Sequence, residues 1–137
     1  MRIRVKKKKK DSKFVAKAII LDNDRILLLK RSDYLKKHKG EWDLPGGHIH
    51  IGEDLTEGLV REVKEETNLS IVNPKEVFKH KNDAFFLVKM KTTNIRLSNE
   101  HVSYKFFNIE DLDDLDDLTT YYRESILRCI EVKTNNE

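Results

Sequence analysis

Apolar positions along the chain fall into short runs, one longer periodic stretch, and more short runs. Residues 14–21 and 25–30 have the length and aliphatic content of strands. Asp22-Asn23-Asp24 between them is turn chemistry, so the two predict a hairpin at the head of a sheet. Residues 31–40 are polar and lysine-rich and read as a loop, followed by a short strand at 42–44. Pro45-Gly46-Gly47 enforces a turn, after which His48 and His50 alternate with Ile49 and Ile51 as in a strand. From residue 55 the period changes: Leu55, Leu59 and Val63, together with Val60, share one helical face. Asp54 is placed to cap that helix, with Glu57 completing a capping box. Beyond it, residues 71–80 and 84–90 predict strands joined at Lys81-Asn82-Asp83, with Pro74 marking a break or an edge. Residues 92–99 form a polar loop, and 100–106 a further strand. A helix over 120–132 turns Ile126, Cys129 and Ile130 to the core, and 133–137 fray. The order predicts one domain of mixed α and β structure.

Composition narrows this picture. A chain of 137 residues with 38% hydrophobic and 37% charged content suits one soluble domain with a heavily charged surface. No apolar run approaches a membrane span, and the basic start lacks the apolar segment of a signal peptide. Cys129 is the single cysteine, which excludes an intrachain disulfide and fits a reducing cytoplasm; its apolar setting makes it core, not nucleophile. Charge is polarised. Arg2, Arg4 and the lysines at 6–10 supply seven of the 27 basic residues, leaving 20 against 24 acids in the remainder. Residues 1–12 therefore read as a basic arm before a domain at 13–137. Such an arm can bind RNA through phosphates, but no aromatics are interleaved to stack on bases, so a solvated start or a strand edge protected by lysines is the favoured reading. Six acids within residues 110–117 lack any cation-loop spacing and read as a solvated loop or turn.

The helix after residue 54 carries the candidate chemistry. Glu62, Glu65 and Glu66 are spaced i,i+3 and i,i+4, so three carboxylates crowd one surface. Left alone they repel; a hard cation such as Mg2+ or Mn2+, with phosphate oxygens beside it, reverses the sign. Glutamates on a helix also serve as a plain solvated face. Arg61 is placed to brace a carboxylate such as Glu53 through a bidentate pair. His48 and His50 have no Cys or further His at ligand spacing, which argues against a histidine metal site there.

In register, Gly47, Glu53, Arg61, Glu62, Val63, Glu65, Glu66 and Leu69 resemble the signature of the Nudix hydrolases, G-x5-E-x7-R-E-U-x-E-E-x-G-U, with U a bulky aliphatic. One position departs: Asn68 replaces the second glycine, at a helix end where a left-handed residue is favoured and Asn is next best. The segment Glu100-His101-Val-Ser-Tyr104-Lys-Phe106 resembles one common among MutT-type members. The resemblance implies the Nudix fold, an α/β (α+β) architecture with a mixed β-sheet in an α/β/α sandwich.

The same resemblance implies a site. Glu62, Glu65, Glu66, Glu100 and the Gly46 carbonyl would hold Mg2+, or Mn2+. Glu62, Glu65 or Glu100 would take a proton from water, and Glu53 and Arg61 would fix the ligands. Arg31, Trp42, Gly47 and Phe85 are the candidate substrate contacts. The implied activity is hydrolysis of a pyrophosphate linkage in a nucleoside diphosphate derivative, foremost a nucleoside triphosphate giving the monophosphate and pyrophosphate. Removal of pyrophosphate or a cap from RNA 5′ ends is a second expectation. A nucleotide-sensing module without turnover is a third, against which the intact acids argue.

Overall fold

A computed structural model describes residues 10–115, 118 and 120–135. The basic arm at residues 1–9, the acids at 116–117 and the last two residues lie outside the described residues. The elements are β1 (Asp11–Asp22), β2 (Arg25–Arg31), β3 (Trp42–Asp43), β4 (Gly46–His50), α1 (Leu55–Thr67), β5 (Ile71–His80), β6 (Asp83–Met90), β7 (His101–Asn108), a 3-10 turn (Ile109–Asp114) and α2 (Thr120–Asn135). The predicted order therefore holds, with β1 starting two residues inside the segment read as an arm. The acidic segment is partly a 3-10 turn that buries Leu112.

β1 is the axis of the sheet. It joins β2 through Leu21↔Ile26 and Asp22↔Arg25, across a tight turn where Asn23 and Asp24 both take positive φ. Along the same edge it pairs antiparallel with β4, setting Lys17 opposite Gly46. Along its other edge it pairs parallel with β6, from Val15↔Asp83 to Ile20↔Val88. β5 extends the sheet beyond β6 and β7 extends it beyond β2, while β3 pairs with the end of β2 on the edge opposite β7.

Side-chain alternation sends Ala16, Ala18 and Ile20 to one face, where Leu59 and Val63 of α1 cover them with Phe86 and Val88. Ile19, Leu28 and Phe85 point to the other face, under Ile126 and Cys129 of α2. The result is an α/β/α sandwich. Lys17 shares the α2 face with Ile19, at a position where burial favours an apolar residue.

Two local expectations are corrected. Val60 is 39% exposed, because at 100° per residue it lies at the margin of the stripe set by Leu55, Leu59 and Val63. Ile49 is buried but Ile51 is 66% exposed: β4 ends at His50 and the chain turns away, so the alternation stops one residue early.

Candidate active site

α1 starts where expected. The Asp54 carboxylate accepts from the Glu57 amide at 2.8 Å, and that bond holds the carboxyl below its usual range. The helix ends at Asn68, whose φ of 67° is the left-handed conformation the glycine-to-Asn departure requires. Between these caps, Glu62 and Glu66 project towards β4 and the start of β7. They join Arg31, Asp43, Tyr122 and Glu100 in the wall of a cleft of about 570 Å3.

The Pro45-Gly46-Gly47 turn is pressed against β1 and α1. Gly46 has φ of 130°, and a Cβ there would stand 2.1 Å from the Ala16 carbonyl oxygen, so only glycine fits. Its amide donates to Glu66 Oε1 at 2.6 Å. A Cβ on Gly47 would lie 2.7 Å from Glu62 Oε2. The turn backbone and both carboxylates thus share one small volume. The loop before β7 brings in the remaining acid. Its Arg96 and Ser98 amides donate to the Thr67 and Glu66 carbonyls, and the Ser32 amide holds the Glu100 carbonyl at 2.8 Å. Ligand atoms of Glu66, Glu100 and His101 then lie within 4.8 Å of one another.

Arg61 ties the outer acids together. Its Nε and Nη2 donate to the two Glu53 oxygens at 2.9 and 3.0 Å. Nη1 donates to Glu62 at 3.1 Å and Glu65 at 3.2 Å, and Nη2 also reaches the His48 carbonyl. The guanidinium bonds hold the Glu53 carboxyl down to about 2. Glu65 is turned outward, its side chain 58% exposed, and is absent from the cleft wall. Glu66 behaves oppositely to Glu53. Burial, reinforced by the charges of Asp43 and Glu62, raises its carboxyl well above the ordinary range, and Lys17 offsets only part of this. Burial also raises Glu62. Two carboxyls resisting ionisation in one cleft are what an acidic set suited to a cation looks like without the cation's charge.

The candidate substrate contacts separate. Arg31 and Trp42 line the cleft, Arg31 donating to Asp43 Oδ2 at 3.4 Å and Trp42 packing edge-on against Phe107. Gly47 lines it as well. Phe85 does not reach it: fully buried, it packs beneath Tyr121 and Tyr122, which do line the cleft. Its sheet neighbours on the α2 face leave no route to solvent, and the aromatic wall comes from α2 instead. Cys129 is core as expected, with burial raising its thiol to about 11.

Sequence reasoning passed over the cleft floor. The Lys17 ammonium, only 7% exposed as a residue, donates to Asp43 Oδ1 at 3.1 Å and to the carbonyls of Leu44 and Gly46 at 3.2 and 3.3 Å. Burial opposes its charge, but Asp43 and Glu66 together hold it above the ordinary lysine range. Asp43 is held below its own range: burial works against the carboxylate, and Lys17 more than compensates. The available signal was a lone lysine inside the apolar run Val15-Ala-Lys-Ala-Ile-Ile20.

Comparison with known proteins agrees with this geometry. A solved structure of a MutT protein from Methanosarcina mazei Go1 superposes with a TM-score of 0.69 at 28% identity, covering 88% of this chain and 94% of that one. The ADP-ribose pyrophosphatase of Methanocaldococcus jannaschii is 47% identical over 51 residues, 37% of this chain and 29% of that protein. The m7GpppN-mRNA hydrolase NUDT17 of Xenopus laevis is 43% identical over 49 residues, 36% of this chain and 17% of that protein. The chain's matches span between 16% and 35% of the length of the first curated relatives. The model of the NUDIX domain matches residues 12–129, most of the chain, which therefore belongs to the Nudix family.

Proposed function

We propose that the chain hydrolyses a pyrophosphate linkage in a nucleoside diphosphate derivative, with Mg2+ or Mn2+ bound in the cleft. The observation that carries this is the convergence of Glu62, Glu66 and Glu100 in one cleft with the Gly46-Gly47 backbone, with the two helical carboxyls held out of their normal ionisation range. The donor set fits a hard divalent cation: carboxylate oxygens, one backbone carbonyl and open space. Glu62, Glu66, Glu100 and the Gly46 carbonyl would hold it, with Glu65 reaching in after release from Arg61. Bound there, such ions supply charge neutralisation for phosphate oxygens and a more acidic water.

The remaining roles belong to the protein. Arg61 holds Glu53 and Glu62 in fixed positions and locks α1 to the His48 carbonyl. Glu62 and Glu100 face the cleft and are the bases within reach of a water, whereas Glu65 faces away from it. Arg31, with Lys37 on the rim, presents positive charge to the outer phosphates. Trp42 and the two tyrosines give the flat apolar surface a nucleobase needs. A nucleoside triphosphate, yielding the monophosphate and pyrophosphate, is the first substrate class, supported by the likeness to a MutT structure. RNA 5′ ends are the second, supported by the relative named as an mRNA hydrolase and by the lysines of the loop after β2. Among the described residues no helix is long and apolar enough to cross a membrane, and the free Cys129 suits a reducing cytoplasm.

The test is phosphate and pyrophosphate release from nucleoside triphosphates, ADP-ribose, dinucleoside polyphosphates and a 5′-triphosphate RNA, with Mg2+ or Mn2+. Turnover on one class that stops with EDTA supports the reading. Tight binding of a nucleotide without turnover on any class would make the chain a sensor instead.

A further inference from the structure

His101 has no role in the reading above, yet its surroundings are unusual. The side chain is fully buried at the start of β7, and neither ring nitrogen has a hydrogen-bond partner. A buried polar atom left without a partner is costly, and one ring carrying two is rarer still. Each nitrogen is nonetheless aimed at a carboxylate. Nδ1 lies 3.9 Å from Glu66 Oε2, and Nε2 lies 3.6 Å from Asp43 Oδ2. Both distances exceed a hydrogen bond. The first leaves room for an atom between the two groups.

A six-coordinate divalent ion with bonds of about 2.1–2.2 Å sets its ligands roughly 3 Å apart when adjacent and about 4.4 Å apart when opposite. The ligand atoms of Glu66, Glu100 and His101, all within 4.8 Å of one another, need close only slightly to meet that spacing. The far side of the ring matches as well. An imidazole that binds a metal through one nitrogen usually gives its other N–H to a carboxylate, which fixes tautomer and orientation. Asp43 stands there, itself anchored by Lys17 at 3.1 Å and Arg31 at 3.4 Å.

We propose that His101 binds a divalent metal through Nδ1, together with Glu66 and Glu100, and that this nitrogen donor biases the site towards a first-row transition ion such as Mn2+ over Mg2+. The inference rests on the cleft being a cation site, and adds a nitrogen ligand to an oxygen set. Imidazole stabilises first-row transition ions far more than the hard, tightly hydrated Mg2+. Asp43 is then a positioning residue acting through His101. The histidines of β4 do not compete: His48 is exposed, and His50 sits between Asp11 and Glu53.

The full chain is loaded with substoichiometric Mn2+ and examined by electron spin-echo envelope modulation. The expected spectrum shows 14N coupling from a directly bound imidazole, retained in an H48Q/H50Q double variant and lost in H101Q. Isothermal titration of H101Q is expected to show the Mn2+/Mg2+ affinity ratio reduced about tenfold or more. Mn2+ bound to the wild-type chain without 14N coupling overturns the proposal. So does coupling that vanishes in H48Q/H50Q, or an unchanged affinity ratio in H101Q. If H101Q does not fold, an H38Q/H48Q/H50Q variant decides: coupling retained there supports His101, and coupling lost there overturns it. Hydrolysis by the wild type with Mg2+ and with Mn2+ is measured separately: turnover without 14N coupling leaves the proposed function standing and removes this one, and coupling without turnover on either metal does the reverse.

Discussion

Replacing Lys17 with Met removes the ammonium from the cleft floor while nearly keeping its length. Asp43, 4% exposed, then keeps the 3.4 Å contact from Arg31 and His101 Nε2 at 3.6 Å, and the Leu44 and Gly46 carbonyls lose a donor. Removing one partner of a buried ion pair costs about 3–5 kcal/mol, because the other charge stays buried without compensation. For a chain of 137 residues the unfolding entropy is roughly 0.29 kcal/mol per kelvin, so Tm should fall by about 10–17 °C. The assay is urea and thermal unfolding of K17M, D43L and the K17M/D43L double variant. Swapping both charges for apolar groups of similar size removes the uncompensated charge, so the double should be no less stable than either single. The coupling should then be about 3 kcal/mol or more. A K17M cost below about 1 kcal/mol, or a double whose loss equals the sum of the singles, would refute a buried pair that matters to the fold.

Other perturbations separate chemistry from folding. E66Q should lower turnover by about 10^2-fold or more, the rate equivalent of about 3 kcal/mol, with Tm near neutral pH unchanged or higher. The sign follows from the raised Glu66 carboxyl, whose contribution to stability falls as pH climbs from 4.5 towards its folded value. G47A should displace Glu62 and cut kcat about tenfold or more with little change in Tm, whereas G46A, with its Cβ inside the Ala16 carbonyl, should fail to fold. Glu53 is depressed, so the stability of wild type over E53Q should be full above pH 4.5 and shrink as pH falls towards about 2. Urea melts should show about 1.5–3 kcal/mol at pH 7 and nearly none at pH 2. N68A should cost about 1 kcal/mol for a left-handed cap lacking Asn, while N68G should stay within about 0.5 kcal/mol of wild type in the same melts.

The elements were readable because local signals agreed: the Asp54 cap, the 3.6-residue stripe of α1 and the Asp22-Asn23-Asp24 turn each act over a few residues. The α1 carboxylates and Arg61 were legible for the same reason, since one helix fixes their relation. What distance in the chain hid was the floor. Lys17 meets Asp43 only after β1 pairs with β4 and β2 with β3, and His101 meets Asp43 and Glu66 only after β7 joins β2. Phe85 failed as a substrate contact because alternation assigns it a face of the sheet, not which end of that face stays open. The split between Glu65 and Glu66 was equally hidden: adjacent positions on one helix, one pulled outward by Arg61 and the other drawn down to the Gly46 amide.

The placement of β1 has a consequence for biogenesis. During synthesis, β1 can pair with β2 and β4 as soon as residue 50 has emerged. Its other edge waits for β6, whose first partner to Val15 is Asp83. Until then an aliphatic strand edge stands open in a crowded cell, the state from which chains cross-pair and aggregate. Lys17 lies at the centre of that edge. In the nascent chain, until Asp43 closes on it, its charge opposes strand addition by a neighbour, as gatekeeper residues do. Variants that neutralise it should therefore accumulate in inclusion bodies even where the finished fold tolerates the change, and a soluble K17M/D43L protein would be obtained more readily by refolding than from the ribosome.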